Sequence, residues 1–229
     1  MDEKLLKTSP AQRIWISLIA VLLLGSTIAT YVAIVASSQS NNSSSQSDLE
    51  KQYTAKQQEM ETYSTTLSDK YFSDFSSYKP MVKAYNAEAA NSVGIQKTDL
   101  KEGTGRELTT GDLDYYAYYI GWCADETVFD SSFNDFDNPT SLKTPLYAGQ
   151  GLIEGWNEGV VGMKLGGVRE ITMPGELAYG ESREICGGTN SPLKFIVLPL
   201  LEDDKLATLN GELQEIYMQI MSKYYSNAQ

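Results

Sequence analysis

The sequence predicts an α+β protein in which long helices flank a central region of short strands. Residues 48–91 contain no glycine and space their apolar side chains near the helical period, whereas glycine becomes frequent from Val93 onward. In that glycine-rich region, β-branched and aromatic runs alternate with turns, as is typical of strands. These runs are residues 114–121, 168–173 and 193–198.

Charge and composition exclude several classes of function. The chain of 229 residues has a formal net charge of −12, so binding to nucleic acid through a basic surface is not expected. It contains no histidine, which removes Ser-His-Asp catalysis and histidine-ligated metal sites. Its two cysteines, Cys123 and Cys186, form no C-x-x-C motif. We therefore expect neither a metal nor a cofactor.

The N-terminal segment predicts a single-pass membrane anchor. Residues 14–36 carry no charge, and about 20 apolar residues are enough to span a bilayer. Basic residues precede this stretch, and none follows it before Lys51. They are Lys4, Lys7 and Arg13. Because positive flanks stay inside, residues 1–13 are expected in the cytoplasm and the rest outside the cell membrane. Cleavage at residues 36–38 is the alternative.

Composition divides the remainder into four segments. Residues 37–47 consist of serine, glutamine and asparagine and predict a flexible linker. Residues 48–91 predict a helical spacer, with a break before Pro80. Residues 92–202 form the predicted strand-rich domain, and residues 203–229 predict a C-terminal helix.

The C-terminal helix carries an apolar seam with alternating spacings of three and four residues. Its members are Leu206, Leu209, Leu213, Ile216 and Ile220. Because the seam is only about two and a half heptads long, packing on the chain's own N-terminal helix is preferred to a self-standing coiled coil. For the N-terminal helix, a spacer or packing role and a homodimer interface both remain open.

Three motifs combine glycine with aromatic side chains, and a fourth aromatic motif contains no glycine. The central one is Leu152–Val160, where Trp156 begins a short predicted helix. Its indole N–H requires a partner, and its ring offers a flat apolar floor. Tyr119-Ile120-Gly121 and Phe129-Asp130-Ser131-Ser132 precede it, and Leu177-Ala178-Tyr179-Gly180 follows it.

In order and spacing, these motifs resemble the FKBP-type peptidyl-prolyl cis–trans isomerases over about residues 94–202. The resemblance implies a strongly curved antiparallel sheet around one short helix, here about Trp156–Met163. It also implies an enzyme that accelerates X–Pro rotation in exported proteins and binds proline-containing polypeptides in an aromatic pocket. A non-catalytic chaperone that binds proline peptides and a helical scaffold module are the alternatives.

The resemblance also implies the site residues. The implied catalytic residues are Tyr119, Asp130 and Tyr179. The implied substrate-binding residues are Phe129, Leu152, Ile153, Trp156, Ile185 and Phe195. In this family the backbone N–H matching Ile153 binds a substrate carbonyl, and the tyrosine matching Tyr179 donates to the carbonyl next to the proline.

A charged Asp130 within an aromatic cluster needs a hydrogen bond, unless it merely caps a turn. The candidate donors are Ser131, Ser132 and Tyr119. Residues 133–148 are longer than the common family form, which leaves an aromatic contact open among three side chains. These are Phe133, Phe136 and Leu142. Pro199 falls in the last predicted strand and is expected to mark an edge or a bulge there.

The family pattern places Cys123 on the strand of Tyr119 and Cys186 in the loop that covers the pocket. The resemblance therefore implies a disulfide that ties this loop to the strand and offsets the flexibility of Gly187 and Gly188. The alternative is two unpaired cysteines that act as small apolar residues.

Overall fold

The computed structural model of the protein describes residues 43–150 and 152–227. The helices are α1 (Ser43–Ser76), α2 (Ala87–Ser92), α3 (Glu154–Gly159) and α4 (Asp204–Asn227). The strands are β1 (Gln96–Lys101), β2 (Tyr116–Trp122), β3 (Val128–Ser131), β4 (Leu146–Tyr147), β5 (Val168–Met173) and β6 (Leu193–Pro199). Short 3₁₀ turns occupy Lys79–Met81, Ala148–Gln150, Gly175–Leu177 and Gly180–Ser182. This order agrees with the α+β class predicted from the sequence.

The strands form one antiparallel sheet in the order β1-β5-β6-β2-β3, with β4 paired to β2. α3 packs on one face, where Trp156 and Val160 join Ile171 and Val197 in the core. β6 lies within the sheet and is buried on both faces, which explains its nearly continuous apolar sequence. Tight α3–sheet packing requires Gly159, because a Cβ there would lie 2.6 Å from Ile171 Cγ2.

The part of α1 from residue 58 onward covers the opposite face of the sheet. Phe75 is fully buried, with its ring centroid 6.2 Å from that of Tyr118 and 5.6 Å from that of Phe133. The helix also binds the long segment after β3, because Leu142 N–H donates to Ser68 Oγ at 2.8 Å. Phe133 and Leu142 therefore pack towards α1, so neither supplies the aromatic contact to the pocket that the sequence left unassigned among Phe133, Phe136 and Leu142.

The described chain divides into two compact units. One comprises residues 58–210 and holds the whole sheet; the other comprises residues 43–57 with 211–227. In the second unit the helices run antiparallel, joined by Tyr53 and Tyr217 with ring centroids 6.3 Å apart and by Lys56 Nζ and Glu212 Oε2 at 2.7 Å. The predicted domain boundary near residue 92 does not coincide with this division, because residues 58–91 belong to the same unit as the sheet.

Two predicted boundaries change. α1 begins at Ser43, so residues 43–47 are helical where the linker was expected. α3 spans Glu154–Gly159 and not Trp156–Met163. The helix does not extend to Met163, because Gly162 has a positive φ of 84°, a conformation that an α-helix does not contain.

At Pro199, β6 is paired with β2 only, so the edge expected there is confined to the end of the strand. Pro199 is the last residue of β6, and the pairing of β6 with β5 already ends at Val197 and Arg169. On the β2 side, Leu200 N–H donates to the Tyr116 carbonyl at 2.8 Å. Proline is tolerated because the N–H that it lacks would have no ladder partner.

The predicted cytoplasmic tail (1–13), the anchor (14–36) and residues 37–42 of the linker lie outside the described residues. Among residues 43–150 and 152–227, no helix combines the length and the apolar character needed to cross a bilayer.

Candidate functional site

Aromatic rings from three strands and α3 meet in one cluster. The Trp156 ring lies edge-to-face with Phe195, with centroids 5.3 Å apart, and with Tyr119 at 5.5 Å. Phe129 lies edge-to-face with Phe195 at 5.6 Å, a favourable geometry for aromatic pairs. Trp156 and Phe195 are buried, whereas Tyr119 and Phe129 are half-buried. The cluster therefore has a closed floor and an open rim.

Gly121 on β2 allows the rings to approach this closely. A Cβ at this position would lie 2.7 Å from Phe129 Cζ and 2.7 Å from Phe195 Cε1. Carbon atoms in van der Waals contact normally lie about 3.5–4.0 Å apart. A larger residue at this position would therefore displace both rings.

A β-bulge directs two consecutive residues into the site. The β2–β3 pairing passes from Gly121–Asp130 to Trp122–Val128 and leaves Phe129 as the extra residue. In a regular strand, consecutive side chains point to opposite faces. Because of the bulge, Phe129 reaches the aromatic cluster while Asp130 reaches Tyr119 on the neighbouring strand.

The Tyr119 hydroxyl donates a hydrogen bond of 2.6 Å to Asp130 Oδ2. Burial, together with this hydrogen bond and the nearby carboxylate charge, raises the pKa of Tyr119 above its usual range. The hydroxyl therefore stays protonated at neutral pH. Of the three candidate partners of Asp130, Tyr119 forms the hydrogen bond. The two serine hydroxyls bind backbone instead: Ser132 Oγ accepts the Tyr119 N–H at 2.9 Å, and Ser131 Oγ accepts the Phe133 N–H at 3.3 Å.

Trp156 is fixed by the start of α3 and by a buried hydrogen bond. Ile153 is the N-cap residue, and its carbonyl accepts the N–H of Trp156 at 3.0 Å and that of Asn157 at 3.2 Å. The indole Nε1–H donates to the Tyr115 hydroxyl at 2.9 Å. Burial raises the pKa of Tyr115 to about 12. Sequence reasoning did not identify Tyr115. The only indication of such a residue was that the Trp156 indole N–H would need a hydrogen-bond acceptor when buried.

Leu152 and Ile153 are half-buried and pack against the core that contains Trp156. No hydrogen bond from the Ile153 N–H to another described residue is present, as is common for donors at a helix start. This N–H therefore remains available to a ligand carbonyl at the edge of the cluster.

Tyr179 is half-buried, and the Arg183 guanidinium lies over its ring, 4.8 Å from the ring centroid. Burial raises the pKa of Tyr179, and the charge of Arg183 opposes this rise. In the described part of the chain no group hydrogen-bonds to the Tyr179 hydroxyl, so it is free to donate. Arg183, which no sequence motif singled out, fixes the ring from one side.

The predicted disulfide between Cys123 and Cys186 is present, with Cα atoms 5.4 Å apart. Cys186 and Gly187 have positive φ values of 57° and 84° in a turn between Ile185 and Gly188, whose backbones bond reciprocally at 3.0 and 3.2 Å. Ile185 packs against the core of the site. The disulfide therefore fastens a tight turn, and with it Ile185, to the end of β2.

The chemistry available here is binding and hydrogen-bond donation. Within residues 43–150 and 152–227, no group of three or more acidic or cysteine side chains is placed to hold a metal ion. Two ionic groups contact tyrosines of the site: Asp130 accepts from Tyr119, and Arg183 lies over the ring of Tyr179. The site can enclose a small apolar ring and donate hydrogen bonds to carbonyls beside it.

Comparison with known proteins identifies similar sequences. The family model described as FKBP-type peptidyl-prolyl cis-trans isomerase matches residues 105–198. The FK506-binding protein of Neisseria meningitidis serogroup B is 42% identical over 87 residues, which cover 38% of this chain and 75% of that protein. The FK506-binding protein of Streptomyces anulatus is 37% identical over 120 residues, covering 52% and 90%. A crystal structure of AtFKBP13 aligns with a TM-score of 0.37 at 29% identity, covering 48% of this chain and 93% of that one.

Proposed function

Because this chain belongs to the FKBP-type peptidyl-prolyl cis–trans isomerases, we propose that its aromatic cluster holds the prolyl ring of exported polypeptides while the X–Pro bond rotates. The isomerase activity and the binding of proline-containing peptides follow from membership of the family. The exported substrates and the role of each residue are the proposal.

The reaction needs neither a nucleophile nor a general base. Amide resonance sets a barrier of about 18–20 kcal/mol, so uncatalysed rotation takes tens to hundreds of seconds. In the twisted amide the resonance is lost, and with it much of the charge separation that water stabilises. A dry aromatic site therefore favours the twisted form over the planar one, and each 1.36 kcal/mol of such preference gives a tenfold increase in rate.

The cluster of rings over Gly121 is the observation that carries this proposal. Trp156 provides the floor beneath the prolyl ring, and Phe129 and Phe195 provide the walls. Ile185 closes the rim, because the disulfide holds its turn near the strand of Tyr119. A buried, preformed site of this kind binds a proline with little loss of side-chain freedom.

Hydrogen bonds orient the peptide on either side of the proline. The Tyr179 hydroxyl donates to the carbonyl next to the proline, and the Ile153 N–H binds a second substrate carbonyl. Asp130 holds Tyr119 in its rotamer and places a negative charge at the wall of the site. Both proposed donors lack a hydrogen-bond partner among the described residues, which supports these roles.

A protease-free isomerisation assay of an X–Pro peptide with the full-length chain tests the proposal. Tyr179→Phe should lower kcat/KM about three- to tenfold, because one hydrogen bond is lost. Asp130→Ala should lower turnover more than stability. Trp156→Ala should lower both, since truncating a buried tryptophan costs about 3–5 kcal/mol. Asp69→Ala on the exposed side of α1 is the control and should behave as the parent. Parental turnover in all three site variants would refute the residue assignment.

We also propose that residues 14–36 anchor the enzyme in the cell membrane with its isomerase domain outside the cytoplasm. The uncharged run and the basic residues on its N-terminal side support this orientation. Protease added to intact spheroplasts should digest the chain beyond residue 36. Full protection there, with digestion after lysis, would reverse the orientation.

Self-association through the helices is a further part of the proposal. On α4, Met218, Tyr224 and Tyr225 expose 59%, 60% and 57% of their surface, which leaves these side chains accessible to a second copy. Light scattering of the full-length chain in detergent should give the mass of two copies. A monomer at all concentrations would contradict a homodimer.

A further inference from the structure

A groove of about 530 Å³ runs beside the outer edge of β3. One side is formed by β3 itself, and the other by the segment from Phe133 to Lys143. Because β3 is the last strand of the sheet, no further strand from residues 43–150 or 152–227 covers this edge. The volume lies within the range of about 300–1,000 Å³ that is typical of ligand sites.

The far wall of the groove is rigid because α1 supports it. Phe133 is buried and stacks on Phe75, with ring centroids 5.6 Å apart. Phe136 packs edge-on against Phe133 at 6.0 Å, and the Lys79 ammonium lies 4.9 Å above its ring. Lys79 also donates to the Asp137 carbonyl at 3.1 Å. The segment after β3 is therefore a preformed wall of the groove.

The groove continues directly from the aromatic cluster. Phe129 and Asp130 line the groove and also belong to the cluster, through Phe195 and Tyr119 respectively. A polypeptide with its proline in the cluster can therefore continue along β3 without crossing the core. Exposed strand edges bind extended segments in this way.

The lining charges are mainly negative. Glu126, Asp130 and Asp137 contribute carboxylates, while Lys143 and, beside Phe136, Lys79 contribute the opposing charges. The Lys143 ammonium already donates to the Ser131 carbonyl at 2.8 Å. The Asp137 carboxylate is exposed and has no hydrogen-bond partner among the described residues. The groove therefore favours cationic side chains at its outer end.

We propose that this groove is a second substrate subsite, which binds the extended segment flanking the proline and selects polypeptides with basic residues there. The inference rests on the proposed function, since the proline must occupy the aromatic cluster. It assigns a specificity role to Asp137 and to the long segment that follows β3.

Six matched peptides, in two sets of three, test the subsite with the full-length chain. They share one X–Pro core and carry paired lysine, glutamine or glutamate residues, placed either before or after the core. The lysine peptide on the favoured side should have a KM about three- to tenfold below that of the glutamate peptide, with similar kcat, because exposed ion pairs are individually weak. The difference should shrink in about 0.5 M salt, which screens exposed charges.

Asp137→Lys should abolish the preference, and Asp137→Asn should reduce it, while turnover of the glutamine peptide stays parental. Asp69→Lys makes the same charge change on exposed α1 and should retain the preference, which separates a local contact from net charge. Equal KM for all peptides, or a preference that survives Asp137→Lys, would overturn the inference. Fluorescence anisotropy of the labelled peptides is measured in parallel. Selective binding of the lysine peptide without isomerisation would contradict the proposed function and still support the groove.

Discussion

Gly121→Ala tests whether the aromatic cluster depends on the missing side chain beneath it. In β2 the glycine does not have the positive φ that would disfavour alanine, so the backbone accepts the substitution. The new Cβ would lie 2.7 Å from Phe129 Cζ and from Phe195 Cε1. To restore ordinary contact at about 3.7 Å, each of the two rings must move by roughly 1 Å relative to the new Cβ.

Both rings must shift, because the added Cβ is equally close to each. Phe129 can move outward because it is half-buried at a bulge, whereas Phe195 is 4% exposed and its shift disturbs the core. Overpacking of this size destabilises a protein by about 1–3 kcal/mol. A displacement of about 1 Å near the reacting bond can lower turnover by up to about 100-fold. We therefore expect kcat/KM to fall at least about tenfold, with a smaller loss of stability.

Urea unfolding gives the change in stability, and protease-free isomerisation of an X–Pro peptide gives the change in kcat/KM. Gly94→Ala is the matched control, because no atom lies within 4 Å of its added Cβ. That variant should equal the parent in both assays. Parental turnover and stability in Gly121→Ala would show that the rings do not require the glycine, and the account of the site would fail.

Three further outcomes are expected. The Cys123–Cys186 disulfide closes a loop with a sequence separation of 63, so its reduction should lower the free energy of unfolding by about 4 kcal/mol. Thiol alkylation and intact mass verify the reduction. An unchanged urea midpoint in the reduced protein would contradict the expectation. Tyr115→Phe should destabilise by about 1–3 kcal/mol, because the buried Trp156 N–H loses its acceptor, and parental urea stability would argue against that bond. Folding raises the pKa of Tyr115 to about 12 and raises that of Tyr119 further. Both hydroxyls therefore hold their protons more tightly in the folded state than in the unfolded state. Their contribution to the free energy of unfolding is therefore at its maximum below about pH 10 and decreases as the pH rises above that value. Urea midpoints that stay constant from about pH 9 to pH 11 would refute this.

The sequence by itself determined the kinds of segment and the order of the motifs. Glycine-free, helically spaced residues became helices, and the aromatic and β-branched runs became β2, β5 and β6. The motifs around Tyr119, Phe129 and Trp156 also indicated which aromatic side chains meet. These features are encoded locally or through resemblance, so they could be predicted without coordinates; the catalytic roles of these residues remain predictions.

Tertiary structure decided the partners that lie far apart in sequence. The Tyr115 hydroxyl accepts the hydrogen bond of the Trp156 indole N–H across the core. The bulge beside Gly121 orients the side chains of Phe129 and Asp130 towards the same site. Phe75 of α1 covers the second face of the sheet, a contact that helical periodicity alone cannot assign. Spacing fixes which side chains share a face of one element, but the partner of that face depends on how distant elements pack.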